Sequence, residues 1–200
     1  MTSYGPDHFS RPPLAMGDTA PQFEFVGPTA DPLRSSALLR QGPVILTFYR
    51  GAWCACCQTD LRDLTHTMPE LRKTHTTVLG VFHQLSSESG TRISHEYGLN
   101  FPLVDDVDGR TAEAFGIRRS ATKIAEFGPE LLALKEGEPW ILPMQARYVI
   151  GPDGVIARSE VVFDYDKRSD AAGLIPILEH LGRKADDWTR LSDLRTDWQP

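Results

Sequence analysis

Cys54, Cys56 and Cys57 are the only cysteines of the chain, and they lie within four residues of one another in Trp53-Cys54-Ala55-Cys56-Cys57. A disulfide-stapled secreted domain spreads its cysteines to close loops. Clustered cysteines point instead to a metal or to redox chemistry. In disulfide exchange the thiolate is the nucleophile, and an ordinary cysteine is only a few per cent thiolate at neutral pH. A helix N-terminus raises that fraction, because its unpaired N–H groups and macrodipole stabilise an anion. Cys54 and Cys57 have the two-residue spacing that lets a disulfide close across a first helical turn. Cys54 is expected at the helix mouth as the exposed, attacking thiol, with Cys57 shielded and resolving. A bridge between the neighbours Cys56 and Cys57 would be strained, so Cys56 reads as an outward-pointing auxiliary thiol. Half a zinc site is the alternative. It would need two of His8, His66, His75, His83, His95 and His180, and no two of them have paired ligand spacing.

The elements around the cysteines fit redox work. Pro43 to Tyr49 is a continuous apolar run rich in β-branched residues, as in a central strand covered on both faces. Cys57, Leu61, Leu64, Met68 and Leu71 then recur at helical spacing. Pro69 is expected to kink or end that helix. Phe23 and Phe25 alternate as in an edge strand, Thr76 to Phe82 reads as a second buried strand, and Ser86 to Tyr97 as a polar helix. Phe101 to Val104 is short and extended, 105–109 is a turn, and 110–115 a small helix. The irregular stretch from Arg118 to Trp140 reads as an inserted helical loop. Arg147 to Ile150 and Val155 to Val161 flank Gly151-Pro152-Asp153-Gly154, a hairpin signal. Leu174, Ile177, Leu178 and Leu181 mark a closing helix despite Pro176. The expected fold is α/β: a central mixed β-sheet with helices on both faces, in three layers. The expected organisation is an N-terminal segment (1–16), one domain (17–183) and an amphipathic tail (184–200). The tail is open to two readings, a cover for the chain's own core or a homodimer contact.

Composition excludes other classes. The 200 residues carry a formal charge of −6 and are 40% hydrophobic. No Lys or Arg run offers a face to nucleic acid or an anionic membrane. The first sixteen residues lack a secretory apolar core, and no stretch is long enough to span a bilayer, so a cytoplasmic location is expected.

The segment Gly42-Pro43-Val44-Ile45-Leu46-Thr47-Phe48-Tyr49-Arg50-Gly51-Ala52-Trp53-Cys54 resembles the GPVVLxFYRGxWCPxC signature of peroxiredoxin-like proteins of the alkyl hydroperoxide reductase/thiol-specific antioxidant family. Gly17 to Phe23 resembles that family's GxxAPxF opening, and 97–109 its YGLxFPxLxDxDG segment. Trp140 to Met144, the hairpin and Asp164 to Arg168 resemble its later half. The resemblance implies a thioredoxin-like fold and reduction of hydroperoxides through a cysteine sulfenic acid and a disulfide. It implies no cofactor, and a thiol reductant of thioredoxin or glutathione type. The chain departs from the pattern in named places. Ala55 replaces the usual proline. If Cys57 takes the peroxidatic place of Pro-x-x-x-Thr-x-x-Cys, Arg50 stands for the proline and Cys54 for the threonine. Gln145 stands where a cis proline or an aligning arginine is expected. Arg50, Arg147 and Arg168 are the candidates to compensate.

Three functions therefore stand side by side: a peroxidase, a protein disulfide oxidoreductase, and a non-enzymatic redox sensor. Around the cysteines, Trp53 is expected to exclude water from Cys57, or simply to pack in the core. Arg50 either holds Cys54 as thiolate or is a solvated loop arginine. Arg147 either faces the active loop or points outward. His83 is a proton shuttle or a merely hydrogen-bonded histidine.

Overall fold

The computed structural model describes residues 11–27, 31–51, 54–83, 85–121, 140–162 and 171–182. Its centre is a five-stranded mixed sheet in the order β5-β4-β3-β8-β9. The strands are β3 (Val44–Tyr49), β4 (Thr77–Phe82), β5 (Leu103–Asp105), β8 (Ala146–Ile150) and β9 (Ile156–Val161). β3 runs parallel to β4 and β4 to β5, whereas β8 is antiparallel to both β3 and β9. All six side chains of β3 are buried, as its unbroken apolar run requires.

Each face of the sheet carries its own core. Ile45 and Tyr49 meet Leu61, Leu64 and Leu71 of α2 (Ala55–Arg72), Ile93 of α3 (Ser87–Glu96), and Leu174 and Leu178. The last two belong to α5, a 3-10 turn at Ala172–Leu174 that continues as helix over 175–182. On the other face Leu46, Phe48 and Tyr148 meet Ala112 of α4 (Arg110–Ala114), Phe115, and Leu38 of α1 (Ser35–Leu39). Phe23 and Phe25 complete that layer. The result is the three-layer thioredoxin-like arrangement expected from the sequence.

Of the two outcomes expected at Pro69, a kink or an end, the end does not occur: α2 runs on to Arg72. A proline at that point leaves the Thr65 carbonyl without its helical N–H, and the Asn100 side chain donates to that carbonyl at 3.4 Å. The stretch from Arg118 to Trp140 is not simply a helical loop. Its ends, β6 (Arg118–Ala121) and β7 (Trp140–Pro143), pair as an antiparallel ribbon; the middle lies outside the described residues, as does 183–200. A second ribbon, β1 (Glu24–Val26) with β2 (Pro32–Arg34), has only its first strand legible in the sequence.

The turn at 105–109 is held by one side chain. Gly109 sits at φ 64° and, having no side chain, cannot cap α4. Asp106 does so from three residues earlier, its two carboxylate oxygens accepting from the N–H groups of Thr111 (3.1 Å) and Ala112 (2.9 Å). Asp106→Ala is expected to cost about 0.5–2 kcal/mol, read from the shift in urea midpoint at unchanged slope; an unshifted midpoint would mean that the cap is idle.

Candidate active site

β3 ends at Tyr49 and the chain reaches α2 through Arg50 and Gly51, with 52–53, and so Trp53, outside the described residues. Cys54 is the N-cap of α2, its sulfur accepting from the Cys57 N–H at 3.4 Å. That turn draws all three sulfurs together. Cys57 Sγ donates to Cys54 Sγ at 2.7 Å, and Cys54 Sγ lies 3.0 Å from Cys56 Sγ. A bonded pair would stand at about 2.05 Å, so the three are free thiols. Among the described residues they also form a group of potential metal ligands, within 4.8 Å of one another, and no histidine joins them.

The exposure of the thiols differs from the sequence reading. Cys54 is not exposed: it is 4% accessible and Cys57 0%. The cap explains this, since a side chain folded back over the helix end is covered by the turn it closes. Cys56 is the half-buried member. It does not simply point outward, because Arg50 Nη2 donates to its sulfur at 2.7 Å. Arg50 is buried, not solvated, and its hydrogen bond goes to Cys56 rather than to Cys54.

The electrostatics follow the hydrogen bonds. The hydrogen bond with Cys54 holds the Cys56 thiol far below its usual range, with Cys57 and the Arg50 guanidinium adding to that. Cys54 is raised, first by its hydrogen bond with Cys56. Cys57 is raised well above the usual thiol value, chiefly by burial and then by donating to Cys54. The three thus form a chain in which Cys57 donates to Cys54, Cys54 and Cys56 share the next hydrogen bond, and Arg50 donates to Cys56 at the end. The downward shift therefore falls on Cys56, while Cys54, expected at the helix mouth as the activated thiol, is shifted up.

Beneath the sulfurs lies a polar group that sequence reasoning missed. Asp60, one turn beyond Cys57 on the buried side of α2, accepts from Arg147 Nη2 at 2.6 and 2.8 Å and from the Tyr49 hydroxyl at 2.8 Å. Arg147 Nε also reaches Thr47 Oγ1 at 3.2 Å. Arg147 therefore faces inward, toward α2. Burial alone would lower its guanidinium, but Asp60 beside it more than offsets this, and the charge stays. Burial pushes the Tyr49 hydroxyl up, so it remains the donor to Asp60.

Gln145 continues β8 by one residue, its carbonyl accepting from Val162 N at 2.9 Å. It is buried, and neither amide atom has a partner among the described residues. No cis peptide bond occurs among the described residues. His83 follows β4, and its Nδ1 lies 2.9 Å from the Asp106 carbonyl.

The model of the AhpC/TSA family matches residues 16–159. The chain belongs to the AhpC/TSA family. It is a peroxiredoxin-like enzyme of the thiol oxidoreductase class. A Mycobacterium tuberculosis protein named as a peroxiredoxin, Rv1608c, is 31% identical over 109 residues, 53% of this chain and 68% of that protein. The thiol-disulfide oxidoreductase ResA of Geobacillus kaustophilus is 27% identical over 104 residues, 52% of this chain and 59% of that protein. Among solved structures, the peroxidoxin BcpB of Mycobacterium tuberculosis superposes with a TM-score of 0.64 at 22% identity, covering 84% of this chain and 96% of that one. The fold is thus the peroxiredoxin one.

Proposed function

We propose that the chain reduces hydroperoxides, spending the electrons of two thiols and ending as a Cys54–Cys57 disulfide. The reading is supported by family membership and by one observation above all: Cys54 and Cys57 already hold their sulfurs 2.7 Å apart as free thiols. A thiolate attacks the O–O bond and becomes a sulfenic acid, which condenses with a neighbouring thiol and releases water. A partner thiol of thioredoxin or glutathione type then reopens the bridge by exchange. A cycle that returns to free thiols suits a reducing compartment such as the cytoplasm. No helix among the described residues is long and apolar enough to cross a membrane.

Reduced protein mixed with hydrogen peroxide is expected to lose two thiols per peroxide and to gain one internal disulfide. Cys54→Ser and Cys57→Ser should each abolish that disulfide. A second reading, disulfide exchange with other proteins, is favoured by the Cys-x-x-Cys spacing and the likeness to a thiol-disulfide oxidoreductase. Rapid reduction of insulin disulfides by protein whose thiols survive peroxide would replace the first reading with the second.

A further inference from the structure

We propose that Cys56 is the sulfur that first meets the oxidant, and that the oxidising equivalent then passes inward through Cys54 to Cys57. This rests on the reading of the chain as a hydroperoxide reductase, and it gives the third thiol a catalytic role. Three observations carry it. Cys56 is the only one of the three thiols that is not fully buried. Its sulfur is the one that the Arg50 guanidinium touches, at 2.7 Å. Cys54 stands between the other two, 3.0 Å from Cys56 and 2.7 Å from Cys57. Any equivalent that reaches Cys57 from outside thus has a ready route through Cys54, and Cys56 is where that route opens.

The steps balance. The Cys56 thiolate attacks the peroxide, whose O–O bond breaks; with one proton the products are Cys56 sulfenic acid and an alcohol, or water. The Cys54 sulfur attacks the sulfenic sulfur, an S–S bond forms, and water leaves. Cys57 gives up its proton and attacks the Cys54 sulfur, so the Cys54–Cys56 bond breaks and a Cys54–Cys57 bond forms. Cys56 leaves as the thiolate it was at the start. The last step has a direction, because the leaving group in thiol–disulfide exchange departs faster the lower its pKa. Arg50 stabilises that departing anion. The final disulfide lies on the buried pair, and Cys56 returns to its guanidinium, reset.

Hydrogen peroxide, and in a parallel arm the aromatic disulfide 5,5′-dithiobis(2-nitrobenzoate), are added to the reduced full-length protein and to three serine variants. Reactions are quenched with acid, and the cysteine peptide is sequenced by fragmentation mass spectrometry. Cys57→Ser is expected to react at the wild-type initial rate and to accumulate a Cys54–Cys56 disulfide. Cys54→Ser should leave the sulfenic acid on Cys56, where dimedone captures it. Cys56→Ser, a change at a half-buried position, should retain its circular dichroism and slow by at least tenfold. Wild-type rates in Cys56→Ser, or dimedone on Cys57 in Cys54→Ser, would overturn the relay. Reaction in this order with the aromatic disulfide but not with peroxide would sink the peroxidase reading alone and support the relay.

Discussion

Asp60→Ala is expected to remove about 3–5 kcal/mol of stability, the range found when one partner of a buried ion pair is deleted. The side chains of Arg147 and Asp60 are 0% and 3% accessible, so a lone Arg147 charge would have no water to turn to. Against a typical total of about 5–15 kcal/mol, this is a third or more of what holds a domain together. The penalty comes from the stranded charge, not from the pair's own worth. Asp60→Leu combined with Arg147→Met should therefore recover most of the loss, since apolar residues of similar volume can replace a buried pair at little cost. Urea midpoints of Asp60→Ala and of the double variant measure both effects. A loss below about 1 kcal/mol in Asp60→Ala would mean that the pair is not buried in solution. The pair also ties α2 to β8 just below the sulfurs, which makes Asp60 a positioning residue. Asp60→Asn keeps the shape and one accepting oxygen, so it should fold better than Asp60→Ala and preserve more of the thiol reactivity.

The sheet was legible because its signals are local. An unbroken run from Val44 to Tyr49 has no other way to hide both faces, and the turn at 151–154 dictates the hairpin next to it. The cysteine stripe along α2 was legible for the same reason. Asp60 was not, although a trace of it stood in the sequence. Three residues after Cys57 a carboxylate sits beside the apolar stripe, and 87 residues later an arginine interrupts the apolar strand of Ala146 to Ile150. Each looks like an exposed residue alone; together they explain one another, and only the pairing of β3 with β8 brings them together. The ribbon of β6 with β7 escaped likewise, since its strands are far apart in sequence and make no period of their own.

The role of Cys56 was hidden by a different kind of fact. Spacing alone relates Cys56 to Cys57 as neighbours that do not bridge, and to Cys54 as an awkward second choice. It says nothing of the direction in which Arg50 reaches, which puts the guanidinium on Cys56. Nor does it say that Cys54 folds back as its own helix cap. A cap usually comes from an oxygen side chain. Here a sulfur takes the place, Cys54 is drawn under the turn, and Cys56 is left as the half-buried thiol.

Peroxide reduction is expected to be slow for this family, by about 10²- to 10⁴-fold against a site that has both aligning groups. The pattern that the chain resembles aligns the O–O bond with a threonine hydroxyl and an arginine. Counted from Cys57 in the pattern's peroxidatic place, Cys54 and Gln145 occupy those positions, and Arg147, the nearest arginine on that strand, is tied to Asp60. A hydrogen bond to a charged group contributes roughly 1.5–3 kcal/mol, and each ~1.4 kcal/mol of lost transition-state stabilisation costs tenfold in rate. Arg50 restores charge at Cys56. It does not restore the second donor on the far oxygen, which is what an oriented grip on the peroxide adds over a charged neighbour. The Gln145 amide, buried and without a partner among the described residues, is a weaker, neutral group at the arginine's place. Stopped-flow tryptophan fluorescence should follow the reaction, because Trp53 adjoins Cys54 in the chain. A second-order constant near the diffusional ceiling of about 10⁸ M⁻¹s⁻¹ would show that other residues build the pocket. The penalty assigned to Cys54 and Gln145 would then be wrong.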